Sequence, residues 1–455
     1  MVIESFLGSL NLNIISSLFL LTLLAIINIS WIFLFFISIR SHLHTPKVTP
    51  RLGIFYSFKY KERNKSEIGV YQPFVSIIVP ARNEQENIER CIISLLNQDY
   101  PNFEVIFVDD NSTDKTLEIV QGIKDEIRES REGMLKIISL TEKPDGWTGK
   151  TWASEEGYLH SIGNILLFTD ADTFYMSGDV LSRTISYMQK QNLDVLTGSP
   201  LIELRDFWSK IAMPLWNHFS IFLGRNTGAL NNPMSKVAYL VGGFFLIRKK
   251  VLKEVGTFRS VRGIIQEDAE LGMRIKKAGF NIKIVRIDDM VSALWSRNLK
   301  TIWDGIARTF VSMNKWQIFA SLLTVFFMTL LPFVLLPYTL SLTVNTMTAS
   351  GTHWMINIFN IFQQLDAKQL SLFSLYLNIT SCLMIVISTA IKDVKRYKMK
   401  PTYSLLCMLG AGLIVVSYIK SIVILFSRQS LPWRERTLLT SRKQKEKELN
   451  IERHT

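Results

Sequence analysis

Four long stretches with almost no charged residues constrain the structure of this chain more than any other feature of its sequence. They cover residues 13–38, 319–342, 371–391 and 403–426. A helix of about 20 apolar residues is long enough to cross the hydrocarbon core of a bilayer. The sequence therefore predicts an N-terminal transmembrane anchor within residues 1–40 and a C-terminal transmembrane region over residues 317–427.

Basic residues are concentrated beside these apolar stretches. The formal net charge is +13, and lysines and arginines cluster in residues 40–65, 392–400 and 428–453. Positive flanks are typical of the cytosolic side of a membrane, so the excess favours contact with membrane lipid over contact with nucleic acid. We expect an integral protein of the cell membrane with a cytosolic middle domain, preceded by a basic cytosolic linker over residues 41–71.

The last apolar stretch leaves two topologies open. If residues 403–426 cross the membrane, the loop at 392–400 and the basic tail at 428–455 fall on opposite sides, although both are positively charged. The stretch contains Gly410, Gly412 and Lys420, which also suit a re-entrant or interfacial element.

Residues 72–316 show the pattern of an α/β domain, in which short β-branched runs alternate with helical periodicity. This rhythm predicts a mostly parallel sheet covered by helices. Asn83 is predicted to cap the first helix, with Glu86 as its capping partner. Strands are expected at residues 75–79, 103–108, 135–140, 165–168 and 195–197.

An aromatic-rich segment near residues 204–225 interrupts that pattern. Its apolar residues recur at helical spacing, with two tryptophans beside the apolar face. Such a segment predicts an amphipathic helix that lies in the membrane interface, and a helix buried in the protein is the alternative.

Paired acidic residues follow two of the predicted strands. Asp170 and Asp172 leave one strand end on the same side, as the ligands of a hard cation would. Such a cation could neutralise the diphosphate of a nucleotide-sugar. Asp109 and Asp110 end another strand, where their carboxylates could accept hydrogen bonds from a base and a ribose; capping of the next helix is the alternative explanation.

Two further motifs begin helices. Glu267 and Asp268 precede a helix predicted at residues 271–278 and could remove a proton from an acceptor hydroxyl, or could complement the helix dipole. Lys150, in the run Gly-Trp-Thr-Gly-Lys, starts another helix, and helix N-termini favour phosphate. This run lacks the glycine spacing of a P-loop.

The motifs occur in an order that resembles glycosyltransferase family 2, the inverting transferases with a GT-A fold, over about residues 75–316. The matching sequence is VSIIVPARNEQENIERCIISLLNQDYPNFEVIFVDDNSTDKT, then FTDAD, VGGFFLIRKKVLKEVG and QEDAELGMRIKKAG. The resemblance implies a nucleotide-sugar donor, a UDP-sugar by preference, and Mg²⁺ or Mn²⁺ as cofactor.

The resemblance also implies a role for individual residues. Asp268 would be the catalytic base, with Glu267 beside it, and Asp170 and Asp172 would hold the metal. Gly242 and Gly243 match an acceptor-side strand, although close strand packing explains such glycines equally well. The donor would contact a set of residues around the strand ends: Pro80, Ala81, Arg82, Glu84, Asp109, Asp110, Lys150 and Asp170.

One branch of the family resembles this chain most. GWTGKTWA, the preceding anchor and the late membrane region with PWRER after it are similar to ceramide glucosyltransferases and to hopanoid- and carotenoid-associated glycosyltransferases, which implies a lipid acceptor. The family's Gln-x-x-Arg-Trp motif is replaced here by Ser-Met-Asn-Lys-Trp at residues 312–316. Trp316 is retained on the acceptor side, but lysine lacks the forked guanidinium of arginine, which weakens the match to polymer-gripping members.

We therefore expect an inverting membrane glycosyltransferase that moves a sugar from a nucleotide-sugar to a lipid hydroxyl on the cytosolic face. A processive polysaccharide synthase and a polyprenyl-phosphate glycosyltransferase are the alternatives among enzymes. A catalytically silent membrane scaffold is the alternative outside them.

Overall fold

The computed structural model describes residues 12–48, 72–127, 133–222, 227–311, 315–349, 367–427, 431–433 and 436–438. The chain forms two compact units. A helical unit comprises Met1–Arg40, Asp206–Phe222 and Asn298–Ile422, and an α/β unit comprises Ser41–Arg205, Leu223–Arg297 and Val423–Thr455. The predicted basic linker and basic tail lie mostly outside the described residues, so their expected roles stay predictions.

A seven-stranded sheet is the centre of the α/β unit. The strands of this unit are β1 (Val75–Ala81), β2 (Phe103–Asp109), β3 (Leu135–Ser139), β4 (Ile165–Phe168), β5 (Thr173–Tyr175), β6 (Val195–Ser199), β7 (Leu201–Leu204), β8 (Phe245–Arg248), β9 (Ile282–Arg286), β10 (Val291–Ser296), β11 (Leu431–Trp433) and β12 (Arg436–Leu438), the last two of which pair with each other. The large sheet has the order β3-β2-β1-β4-β8-β6-β9, and β5, β10 and β7 form a small second sheet. Only β8 runs antiparallel to its neighbours in the large sheet. The predicted mostly parallel α/β fold is confirmed.

Burial explains why the sequence signals the central strands so clearly. Every residue of β2 and β4 is buried, as expected for central strands covered on both faces, which appear as continuous apolar runs. The covering helices are α2 (Ile88–Leu96), α3 (Thr116–Glu126), α4 (Gly149–Leu159), α5 (Val180–Lys190), α7 (Thr227–Asn231), α8 (Lys249–Glu254) and α9 (Glu267–Lys277).

The predicted cap of the first helix is wrong. Helix α2 begins at Ile88, after Asn87, and has no side-chain cap. Asn83 instead adopts a left-handed backbone with φ 53°, and its Oδ1 accepts a hydrogen bond from the backbone N–H of Thr113 at 2.9 Å. Asparagine tolerates this conformation better than most residues. Asn83 therefore lies in a turn, and its side chain connects that turn to the loop that contains Thr113.

The helical unit contains the four expected apolar segments. Its helices are α1 (Leu12–His44), α6 (Phe207–Phe222), α10 (Leu299–Val311), α11 (Lys315–Val325), α12 (Leu331–Ala349), α13 (Ala367–Lys395) and α14 (Cys407–Ser427). Segments long and apolar enough to cross a membrane are Leu18–Ser41, Ile318–Thr348, Lys368–Lys395 and Pro401–Ile424.

Buried polar side chains connect these apolar helices. Asn28 on α1 donates through Nδ2 to the Leu377 carbonyl at 2.9 Å and to Ser381 Oγ at 2.8 Å. Trp31 Nε1 donates to the Met328 carbonyl at 2.6 Å. Where lipid surrounds a bundle, such hydrogen bonds and close packing hold helices together in place of the hydrophobic effect.

The aromatic-rich segment forms α6, which belongs to the helical unit. Its residues Ile211, Leu215 and Phe219 are buried. Asn217 accepts a hydrogen bond from Lys392 on α13 at 2.6 Å. The helix therefore packs against other helices along its apolar face, and its predicted position at a membrane interface stays a prediction.

Helix α14 is unbroken at its two glycines, and its 21 residues extend over about 31 Å at 1.5 Å per residue. The length therefore permits a full crossing. The two glycines differ in their surroundings: a Cβ on Gly410 would lie 2.0 Å from the backbone oxygen of Ile211, whereas a Cβ on Gly412 would have nothing within 4 Å. Gly410 thus allows α6 and α14 to pack backbone against backbone.

We predict that Gly410→Ala destabilises the helical unit, because the added methyl group must push α6 away. The expected cost is about 1–3 kcal/mol, as for overpacked cores. Gly412→Ala is the matched control and should be neutral or slightly stabilising. Both variants can be checked by heating the purified protein in detergent and measuring the fraction that stays monodisperse. Equal midpoint temperatures for the two variants would contradict the predicted contact.

Candidate active site

Three neighbouring strands end at one edge of the large sheet and direct their loops to the same place. The register pairs Ala81 of β1 with Asp109 of β2. Asp110 donates its backbone N–H to the Ala81 carbonyl at 2.8 Å, and Thr169, directly after β4, donates to the Ile78 carbonyl at 3.2 Å. Ligands of such sheets bind beyond the carboxyl ends of the strands, so this edge is the expected site.

Lys150 reaches the edge from the first turn of α4, as predicted. Thr148 caps this helix: its Oγ1 accepts a hydrogen bond from the Thr151 backbone N–H at 3.2 Å. The Thr148 backbone N–H donates to the Arg262 carbonyl at 2.7 Å. The cap and the anchored loop together fix the start of the helix and the lysine on it.

An ion cluster forms around the Lys150 ammonium group. Its Nζ lies 2.6 Å from Asp170 Oδ1 and 3.3 Å from Glu267 Oε1. A Cβ built on Gly242 would lie 2.8 Å from the same Nζ, 3.4 Å from Asp170 Oδ2 and 3.6 Å from Asp268 Oδ2. Side chains from three distant parts of the sequence therefore converge on the space that the missing side chain of Gly242 leaves open.

The charges in this cluster are unequal, with three carboxylates around one ammonium group. Burial alone would lower the pKa of Lys150, but Asp170, Glu267 and Asp268 outweigh burial and raise it, so the lysine stays charged. Burial raises the pKa of Glu267, Asp268 raises it further, and Lys150 opposes both. The surplus of oxygen ligands suits a second cation.

An aromatic floor lies below the cluster. Phe168 at the end of β4 stacks on Phe245 with ring centroids 5.0 Å apart and meets Phe258 edge-on at 4.9 Å. Ser154 and Thr169 also line the pocket. None of these five residues was predicted from the sequence. Only Ser154 had a readable signal, since it lies four residues after Lys150 on the same helix face.

The predicted nucleoside residues lie around the same edge. Arg82 Nη1 donates to the carbonyls of Asp110 at 2.5 Å and Asn111 at 2.6 Å, which joins the two loops. Asp109 Oδ2 accepts a hydrogen bond from the Ser112 backbone N–H at 3.1 Å, whereas its buried Oδ1 has no partner among the described residues. Asp109 therefore stabilises the turn, and donor contacts of these residues stay predictions.

Glu84 has a structural partner. Its carboxylate is buried, forms an ion pair with Arg297 and accepts a hydrogen bond from Asn87 Nδ2 at 3.1 Å. Pro80 lines the pocket and Ala81 is buried beside it. A nucleotide contact of Glu84 stays a prediction.

Of the three predicted acceptor-side residues, only Gly242 borders the ion cluster. Gly242 borders the ion cluster, but a Cβ on Gly243 would only touch Ala293, at 3.7 Å. Neither glycine lies in a strand, which corrects the expectation: Phe244 N–H donates to the Val241 carbonyl at 2.9 Å and closes a turn before β8. Trp316 belongs to α11 of the helical unit and is 82% exposed.

The predicted metal ligands offer the chemistry of a divalent cation site. Among the described residues no three Asp, Glu, His or Cys side chains are arranged as a ready-made metal site. Mg²⁺, however, is commonly held by one or two carboxylates together with substrate phosphates and water. Asp170 belongs to the cluster and Asp172 is half-buried two residues later. That these two carboxylates hold a cation together with a diphosphate stays a prediction.

Comparison with known proteins identifies this domain. Residues 76–256 match the family model described as Glycosyl transferase family 2. A probable glycosyltransferase of Bacillus subtilis, YdaM, is 25% identical over 213 residues, which are 46% of this chain and 48% of the relative. An uncharacterized glycosyltransferase of Haemophilus influenzae is 32% identical over 127 residues, 28% of this chain and 47% of the relative.

A relative from Staphylococcus aureus, 4,4'-diaponeurosporenoate glycosyltransferase, is 30% identical over 118 residues, 26% of this chain and 28% of the relative. The chain thus matches about half or less of the length of these relatives. Among solved structures, the mannosyltransferase PcManGT of Pyrobaculum calidifontis, in complex with GDP-Man and Mn²⁺, aligns with 90% of this chain and 100% of its own at 16% identity and a TM-score of 0.46.

The match over residues 76–256 covers nearly all of strands β1 to β8 and includes Lys150, Asp170 and Gly242, whereas Glu267 and Asp268 lie beyond it. The motif order, the sheet topology and the family model agree. Residues 76–256 therefore form a domain that matches glycosyltransferase family 2.

Proposed function

We propose that this protein is a membrane glycosyltransferase that moves a sugar, with inversion, from a nucleotide-sugar to a hydroxyl group of a lipid at the cytosolic face. One observation carries the proposal: the Lys150 ammonium group is held between Asp170 and Glu267, next to Asp268 and Gly242. A diphosphate needs a cation and a hydroxyl nucleophile needs a base, and this cluster contains candidates for both.

The donor side rests on Lys150 and the strand-end loops. A nucleoside diphosphate would accept hydrogen bonds from the lysine, whose position at the N-terminus of α4 also favours phosphate. Arg82, Asp109 and Asp110 lie at the same edge and would face the nucleoside. A Mg²⁺ or Mn²⁺ ion held by Asp170 and Asp172 would neutralise charge on the diphosphate.

The acceptor side rests on Asp268. Its carboxylate would take the proton of the acceptor hydroxyl, and the acceptor oxygen would form a bond to the anomeric carbon as the bond from that carbon to the diphosphate oxygen breaks. The nucleoside diphosphate leaves with that electron pair. Attack opposite the leaving group inverts the anomeric centre.

A lipid acceptor is supported by the membrane-like part of the chain. Four helices are long and apolar enough to cross a membrane. A relative that shares part of the domain is named a diaponeurosporenoate glycosyltransferase. Basic flanks beside the apolar helices favour the cytosolic side for the domain. A hydroxyl carried by a membrane lipid would reach the base without leaving the bilayer.

The first prediction concerns activity itself. The purified full-length chain, given Mn²⁺ or Mg²⁺ and a total lipid extract in vesicles, should transfer label from one of UDP-glucose, UDP-galactose, UDP-N-acetylglucosamine or GDP-mannose into the organic phase. We expect a product with one sugar per lipid. Label found in long polymer would favour a processive synthase, and absence of transfer or hydrolysis with every donor would contradict the proposal.

The second prediction separates acceptor types. Asp268→Asn should lower transfer to a hydroxyl by about 10²–10⁴-fold, the usual contribution of a general base. Glu270→Gln on the same helix is the matched control and should keep activity. Transfer that survives in Asp268→Asn, with a product labile to mild acid, would indicate an already ionised acceptor such as a polyprenyl phosphate.

The third prediction concerns the diphosphate. Lys150→Met should weaken UDP or GDP binding by about 10- to 100-fold, because a charge-assisted hydrogen bond contributes about 1.5–3 kcal/mol. Binding of uridine or guanosine alone should be unchanged. Lys124→Met, at an exposed lysine of α3, serves as control. Calorimetric titration with UDP, GDP, uridine and guanosine checks this. Equal losses of affinity for the nucleosides and the nucleoside diphosphates would show that Lys150 does not contact the diphosphate.

A further inference from the structure

The chain segment that leads into Gly242 is attached to the far end of α9 by a single lysine. Lys276 Nζ donates to the backbone carbonyls of Leu230 at 2.7 Å, Asn232 at 2.9 Å and Val237 at 2.9 Å. These carbonyls belong to the end of α7 and to the loop that follows it. One ammonium group therefore gathers two parts of the loop against the helix.

The same segment contacts α9 at two more levels towards its N-terminus. A Cβ on Gly272 would lie 2.7 Å from Tyr239 Cα, so the loop backbone touches the helix there. One turn nearer the start, Leu240 donates its backbone N–H to the Asp268 carbonyl at 3.1 Å. Residues 229–242 thus follow the helix from its last turn to the proposed base.

The bonding of Lys276 is unusual for a surface helix. Among the described residues no carboxylate forms an ion pair with it, and burial lowers its pKa. Carbonyl groups carry no net charge, so they offset the lost hydration of a lysine less well than a carboxylate would. What these hydrogen bonds and a longer one of 3.4 Å to the Ala229 carbonyl supply is geometry. Together with the hydrogen bonds between Asn231 and Ile284 they fix one end of the segment whose other end is Gly242.

We propose that Lys276 is a positioning residue: it holds residues 229–242 on α9, so that the acceptor-side backbone at Gly242 and the carboxylate of Asp268 keep one spacing. This inference rests on the proposed function, in which Asp268, beside Gly242, takes the proton of the acceptor hydroxyl. Because Asp268 lies in the first turn of α9 and Lys276 in its last turn, the base and the attachment of the backbone opposite it belong to one helix.

Positioning and mere stabilisation have different consequences. If Lys276 only contributed to stability, its loss would lower all activities together. If it positions the acceptor-side wall, its loss should impair transfer to a lipid more than hydrolysis, because water is small and needs little orientation. A misplacement of about 1 Å can cost about 100-fold in a well-oriented reaction.

The test compares Lys276→Met, which keeps the length but removes the charge, with Lys276→Arg and with Lys277→Met. Lys277 is exposed and follows on the same helix. Hydrogen exchange of the full-length protein in detergent should be at least about tenfold faster at the Leu240 and Val241 amides in Lys276→Met, because local opening becomes easier. Lys276→Arg should restore protection, and Lys277→Met should match the wild type.

Kinetics on the same proteins completes the test. With the donor that the wild type uses best, Lys276→Met should lower transfer into lipid vesicles by about tenfold or more, while hydrolysis of the donor without lipid changes by less than about twofold. Unchanged hydrogen exchange in Lys276→Met would contradict the attachment of residues 229–242 by Lys276. Faster exchange with equal losses in transfer and hydrolysis would overturn the positioning role. If the wild type transfers no sugar at all, the proposed function fails, and the exchange data still decide whether Lys276 holds the segment.

Discussion

The attraction between one ammonium group and three carboxylates organises the site in the α/β unit. Lys150 on α4, Asp170 after β4 and the first turn of α9 come from parts of the chain about 20 and 100 residues apart, and the ion cluster brings them to one point. Their positions depend in turn on strands that end together, because β1, β2 and β4 are in register at the same edge. Gly242 lets the backbone approach this cluster closely. A bulkier residue there would collide with Lys150 itself.

The sequence predicted the parts of the molecule that rest on simple periodicity. The apolar helices and the five β-branched strands were found because each carries a long or continuous apolar pattern. Strands β5, β7, β8, β9 and β10 were missed, since they are short, lie at edges or alternate weakly. Two expectations failed for local reasons: Asn83 looked like a helix cap but forms a left-handed turn, and Gly242 with Gly243 looked like strand residues but form the turn before β8.

The candidate site was predicted as a set of residues, and the structure adds how they are combined. Motif order alone could not show that Lys150 pairs with both Asp170 and Glu267, or that Glu84 is bonded to Arg297. Such pairings depend on tertiary contacts that no spacing rule encodes. Lys276 is the clearest example. In the sequence it is one of two adjacent lysines at the end of a helix, and only the folded chain distinguishes it from its exposed neighbour.

The reversed direction of β8 has a consequence for how such a domain can diversify. The loops on one side of the pocket each follow a parallel strand. The turn at Gly242 instead precedes a strand, because β8 is antiparallel to its neighbours. The two halves of the pocket are therefore built by chain segments that enter it in opposite directions. Insertions between α7 and β8 can remodel the half that includes Gly242 while the register of β1, β2 and β4, and with it the other half, remains intact.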